Sequence, residues 1–119
     1  MARLLTAGCA MAILAIGTPA YPETTQGDVQ NGRAVYESHC IRCHGPALDG
    51  HGPEASKLVK RPANFHDLRS RRKGDAELEI IVKTGQTFTD MHRWRDELTD
   101  AQVRDVIAYI RASAPHVIE

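Results

Sequence analysis

The chain has 119 residues, 15 basic against 15 acidic, and only 5% of them are aromatic. That length allows one small domain with a modest core. A net charge of zero excludes a protein that grips nucleic acid through its global field, and so few large side chains leave an interior that needs some other filling.

The N-terminus differs from the rest of the chain. Arg3 precedes an apolar run from Leu4 to Ile16, and Thr18-Pro19-Ala20 supplies a small-residue cleavage site. This is the layout of a secretory signal peptide over residues 1–20, which predicts export to the periplasm. The run is shorter than the ~20 residues a spanning helix needs, so an uncleaved membrane anchor ranks second. A lipid-modified Cys9 is set aside, because almost no apolar segment precedes it. Cleavage would remove Met1, Cys9 and Met11 and start the mature chain near Tyr21.

Residues 21–27 read as a flexible, polar lead-in. Asp28 is the expected N-cap of a helix through Val29, Gly32, Ala34, Val35 and Tyr36 toward Cys40. Gly45, Pro46, Gly50, Gly52 and Pro53 then predict irregular loop, followed by a short helical turn from Glu54 to Val59. Lys60 to Gly74 reads as a connection. Asp75 is expected to cap a helix over Ala76–Lys83, with Leu78, Ile81 and Val82 on one face and Gly85 as its stop. Residues 86–97 return to loop. Thr99-Asp100-Ala101-Gln102 forms a capping box. It opens a helix whose Val103, Val106, Ile107 and Ile110 recur at i, i+3, i+4 and i+7. Ala114-Pro115 ends it, leaving a tail over 115–119. No segment predicts a strand. The expectation is an all-α domain over residues 28–114, with three to four helices and irregular loops.

Cys40-Ile41-Arg42-Cys43-His44 is the most specific feature, a C-x-x-C-H pentad that marks attachment of a c-type haem. Two thiols add to the porphyrin vinyl groups as thioethers, and the adjacent imidazole takes one axial position on the iron. A covalent macrocycle also supplies the missing apolar bulk. A thioredoxin-like redox pair would need Cys40 to follow a buried strand, whereas a helix precedes it. A zinc site would need further well-spaced ligands, and only scattered histidines are on offer. Hydrolytic motifs are absent.

The opposite axial position largely sets the function of such a haem. Met91 is the one methionine left after cleavage, in a loop between two helices. A lone methionine is commonly core filler, but a soft thioether presented from a loop downstream of the pentad reads as the distal ligand. The cofactor-binding set is therefore Cys40, Cys43, His44 and Met91, with His44 and Met91 on the iron. His92 is a rival donor, and His39, His51, His66 and His116 rank below it.

These residues resemble the class I cytochrome c family, in particular its small monohaem bacterial members, over residues 27–113. Gly32 and Tyr36 with Val106 and Tyr109 are similar to that family's crossing of terminal helices. Gly50-His51-Gly52-Pro53 through Pro62-Ala63-Asn64-Phe65 is similar to a loop in relatives of the small cytochrome subunits of bacterial oxidases. Met91 with Trp94, Leu98 and Thr99 resembles the methionine-ligand segment. The resemblance implies a cytochrome c fold around one haem c and one-electron transfer between redox proteins. It also implies a backbone carbonyl, at Pro53 or Pro62, that accepts the second imidazole N–H of His44. One departure is His92, where relatives commonly have proline. The basic stretch Lys57, Lys60, Arg61, Arg69, Arg71, Arg72 and Lys73 suits an acidic partner, and Arg93, Trp94 and Arg95 suit the haem propionates. A haem sensor and a dedicated cytochrome subunit of a larger oxidoreductase are the alternative functions. Membrane contact is expected only through partners or an uncleaved leader.

Overall fold

The computed structural model describes residues 26–118, so the predicted leader lies outside the described residues. Within them the chain is all-helical: α1 (Val29–His39), α2 (Ile41–His44), a 3-10 turn (Ala55–Lys57), α3 (Leu68–Arg71), α4 (Asp75–Thr84) and α5 (Asp100–Ser113). Three helices exceed a single turn, in line with the sequence.

The starts of α1 and α5 follow from local chemistry. Asp28 accepts from the N–H groups of Gln30 and Asn31 at 2.8 and 2.9 Å, satisfying two donors that a helix start leaves orphaned. Thr99 accepts from Gln102 N–H at 3.2 Å, and the Gln102 side chain accepts from Thr99 N–H at 2.9 Å, completing the capping box. The start of α4 corrects an expectation. Its N-cap is Gly74 with no side-chain acceptor, and Asp75 is already the first helical residue.

The fold turns on the crossing of α1 over α5. Val103, Val106, Ile107 and Ile110 bury one face of α5, against Val35 and Tyr36 of α1. Each such side chain contributes about 1.5–3 kcal/mol by leaving water. Gly32 makes the crossing possible: a Cβ there would run into the backbone carbonyl of Asp105. The rings of Tyr36 and Tyr109 meet at 5.3 Å, as the resemblance implied. The last lead-in residue, Gly27, is packed as well, against the Arg104 carbonyl. Leu78 of α4, with Leu48 and Leu98 from loops, completes the core.

Residues 60–74 hold one element the sequence did not predict, the single turn α3. The C-terminal segment lies back on it: Arg71 Nε donates to Pro115 O at 2.9 Å, and Val117 N–H donates to Arg71 O at 3.0 Å. Among the described residues, no helix is long and apolar enough to cross a membrane.

Candidate functional site

The pentad sits at the junction of α1 and α2, and the irregular loop after it folds back onto its own backbone. Glu54, Gly52 and Gly50 donate their N–H groups to the carbonyls of Arg42, Cys43 and His44, at 2.9, 3.0 and 2.9 Å. Tyr36 pins the turn from the core side, its hydroxyl donating to Gly45 O at 2.7 Å. Loop and helix thus form one wall of a cavity of about 870 Å³. That lies near the upper end of ligand-sized pockets.

Cys40, Cys43 and His44 line this cavity together with Met91. The four side chains chosen from sequence are therefore brought to a single space by a helix end, a one-turn helix and a loop from the far half of the chain. Apolar side chains of Leu58, Phe65, Leu78, Val82, Trp94 and Ile110 line it too, and charged residues such as Lys60, Arg61, Asp67 and Asp90 join them. An apolar hollow with two thiols and an imidazole on one wall and a thioether elsewhere in its lining fits a haem held by the pentad.

His44 is prepared for a metal. Its Nδ1 lies 3.2 Å from Ala63 O, and a carbonyl only accepts, so Nδ1 carries the proton and Nε2 keeps its lone pair. Burial pushes the His44 pKa down, against a smaller upward pull from that Ala63 bond, so the ring is neutral. Phe65 stacks on it at 4.8 Å. The acceptor corrects the expectation of a proline carbonyl. Neither Pro53 nor Pro62 fills the role, which falls to Ala63, one residue beyond Pro62. The bond needs only a carbonyl, and any residue has one.

The thiols behave unlike a catalytic redox pair. No disulfide joins Cys40 and Cys43. Burial, then the neighbouring Cys43, pushes the Cys40 thiol up to about 12, while an attacking thiol needs a depressed pKa. Cys43 is raised too, chiefly by burial. Among the described residues, no group of three His, Cys, Asp or Glu side chains is placed to share a metal ion.

The remaining histidines have local partners. His66 and His116 each place Nε2 on a backbone carbonyl, of Ala47 at 2.8 Å and of Arg72 at 3.2 Å. His51 pairs with Asp49, and His39 meets the edge of Trp94 at 5.3 Å. His92 packs its ring on Trp94 at 4.1 Å and sets Nε2 3.3 Å from Glu97.

The Met91 loop is closed by Gln86 and Thr89, which sequence reasoning passed over, and by Gly85, which it had read only as a helix stop. Gln86 N–H donates to Met91 O at 2.9 Å, and Met91 N–H donates to Thr89 Oγ1 at 3.1 Å. Gly85, at φ +72°, backs so closely on Met91 that a Cβ would lie 2.6 Å from its carbonyl oxygen. A hydroxyl residue two places before the ligand candidate was the signal available for Thr89.

Known proteins are similar to the chain in sequence and in fold. The family described as cytochrome C oxidase, cbb3-type, subunit III matches residues 27–110. A cytochrome c6-like protein of Nostoc sp. is 26% identical over 96 residues, 78% of each chain. Cytochrome c-555 of Prosthecochloris aestuarii is 28% identical over 90 residues, 74% of this chain and 90% of that one. Among solved structures, cytochrome c6 of the diatom Phaeodactylum tricornutum superposes with a TM-score of 0.57 at 20% identity, over 74% of this chain and 95% of that one. A chain of the Kuenenia stuttgartiensis reducing HAO-like protein complex reaches 0.66 at 22% identity over 75% of this chain, which spans only 44% of that one. The chain belongs to the cytochrome c oxidase, cbb3-type, subunit III family: it is a small class I c-type cytochrome that carries covalently bound haem c and serves electron transfer.

Proposed function

We propose that Cys40 and Cys43 form the two thioethers, that His44 Nε2 is the proximal ligand and Met91 Sδ the distal one, and that the protein shuttles single electrons between exported redox proteins. The observation that carries this reading is the His44–Ala63 bond, which fixes the tautomer and leaves one nitrogen free beside the two thiols. When bound, the haem iron supplies the ferric–ferrous couple. The chain's own residues do the rest. His44 is held neutral and oriented, and the apolar lining keeps water from the site. Met91 offers a soft donor that favours the ferrous state and blocks small molecules from the metal.

The partner reading is finer. Lys60 and Arg61 line the cavity and make no ion pair among the described residues, whereas Glu54 in the same lining is matched by Arg42. Val59, next to Lys60 in the chain, and Phe88 are 81% and 86% exposed, and Asp90 accepts from Val59 N–H at 2.8 Å, which ties the loop of Phe88 to the segment of Val59. An acidic surface with an apolar centre suits this rim. Export through residues 1–20 to the periplasm completes the proposal. The family description favours a second reading, a fixed subunit of a larger oxidoreductase. Co-purification of the native protein with such an enzyme would distinguish it from a free shuttle.

The test is the mature protein made alongside a haem-attachment apparatus. Its mass should exceed the polypeptide from about Tyr21 by one haem. The oxidised form should show a far-red iron–thioether band that Met91→Ala abolishes. A colourless product of bare polypeptide mass would refute the assignment. Rapid carbon monoxide binding by the untreated reduced protein would instead favour a ligand sensor.

A further inference from the structure

The short turn before Met91 is built around one hydroxyl. Thr89 Oγ1 accepts from Met91 N–H at 3.1 Å and donates to Gln86 O at 2.8 Å. A hydroxyl has one proton and two lone pairs, so a single oxygen does both. Gln86 answers through its own backbone: its carbonyl also accepts from Thr89 N–H at 3.3 Å, and its N–H donates to Met91 O at 2.9 Å. Both backbone groups of Met91 are therefore held by a closed ring of contacts running Gln86, Thr89, Met91 and back to Gln86. Gly85 presses on the same carbonyl from behind, and Trp94 N–H anchors the next residues to Val82 O at 3.0 Å.

The turn needs such a fastening. Phe88 sits at φ +61°, a region that costs an aromatic residue energy, so the loop is not a relaxed one. His92 follows Met91 and lacks the pyrrolidine ring by which a proline would fix φ. The carbonyl of Met91 has Gln86, but its N–H has only the Thr89 side chain.

We propose that Thr89 is a positioning residue for Met91: its hydroxyl clips the ligand's backbone to Gln86 and so holds the thioether on the iron against competing donors. This rests on Met91 being the distal ligand. Thr89 touches no reacting atom and acts only through Met91. Removing the hydroxyl leaves Met91 N–H to water and lets the loop swing, which favours any external ligand that needs the same coordination position.

The experiment uses ferric holoprotein titrated with imidazole, together with the far-red iron–thioether band. Thr89→Val keeps the branched shape and removes the hydroxyl. It should bind imidazole roughly 5–10-fold more tightly, the effect of one or two net hydrogen bonds, and show a weakened band. Thr89→Ser restores the hydroxyl and should stay within about twofold of the parent. Thr84→Val is the structural control, because Thr84 Oγ1 donates to Ile80 O at 2.8 Å and, at a longer 3.4 Å, to Gly85 O at the end of α4, and bonds neither backbone group of Met91. It should lower Tm without changing imidazole affinity. The proposal is overturned if Thr89→Val leaves affinity and band unchanged, if Thr89→Ser is as impaired as Thr89→Val, or if Thr84→Val matches both. Should Thr89→Val fail to accumulate as holoprotein, hydrogen exchange on the parent decides: a protected Met91 amide supports the clip, and an amide exchanging at the free rate refutes it. A band that survives Met91→Ala, or a parent lacking one, refutes the ligand assignment itself and removes the clip's purpose with it.

Discussion

The α1–α5 crossing and the loop from Gly85 to Trp94 both depend on a glycine pressed against a foreign carbonyl, yet they use it differently. At Gly32 the neighbour is the Asp105 backbone, part of a helix whose buried face is Val103, Val106, Ile107 and Ile110. Nothing there can yield without parting two helices. At Gly85 the neighbour is Met91 O, in a loop whose Met91 side chain is only partly buried. The crossing stores stability and the loop stores geometry.

The same substitution at the two sites breaks the comparison open. Gly32→Ala places a Cβ inside the Asp105 carbonyl, an overpacking that no rotamer relieves. It should cost about 3 kcal/mol. For a domain of this size the holoprotein Tm should fall by roughly 12–24 °C. The far-red band should persist below the transition, since the crossing lies away from Met91. A shift under about 4 °C would mean that the helices approach less closely than the structure has them.

Gly85→Ala should do less to stability and more to the spectrum. Alanine at φ +72° with 2.6 Å to Met91 O forces a backbone shift costing about 1–2 kcal/mol. The shift falls on the residue that carries the thioether, so the band should weaken and imidazole bind more tightly even at low temperature. A variant with lowered Tm and an unchanged band would place the strain elsewhere and would weaken the contrast between the regions.

Legibility divides along the same line. The two helices of the crossing were readable because their signals are local and periodic, Asp28 and Thr99 as caps and four branched residues in step, whereas their meeting at Gly32 and Tyr36 came from the family resemblance. The pentad was readable because haem attachment fixes residue types and spacing. What escaped lies mostly in backbone chemistry. Ala63 accepts from His44 through a carbonyl that no side chain advertises, and Pro62 next to it was the nearest readable mark. Leu48 is buried at φ +58°, a conformation that nothing in a leucine announces. The turn α3 is four residues, too short to show a period, and its basic residues read as solvated connection. Gly74 caps α4 without an acceptor side chain, so Asp75 drew the assignment one residue late. Thr89 is the intermediate case: its residue type is the right one, but only the folded loop shows that its hydroxyl meets Met91.

The smallest expected effect has the opposite sign. Phe88 is 86% exposed and held at φ +61°, so it gains almost nothing from burial while carrying the penalty of a left-handed backbone. Asparagine tolerates that region, and Phe88→Asn should raise stability by about 0.5–1 kcal/mol, a Tm increase of roughly 2–8 °C. The far-red band and imidazole affinity should stay as they are, because Thr89 and Gly85 still hold Met91. If the proposed docking rim includes this ring, what should fall is the rate at which native membranes oxidise the reduced protein. Strain of this kind persists where the surrounding structure holds it, and it clusters at functional surfaces, which makes the ring worth testing. A more stable Phe88→Asn protein that exchanges electrons as fast as its parent would leave the ring without a role at the rim, and would confine docking to Lys60, Arg61 and Val59.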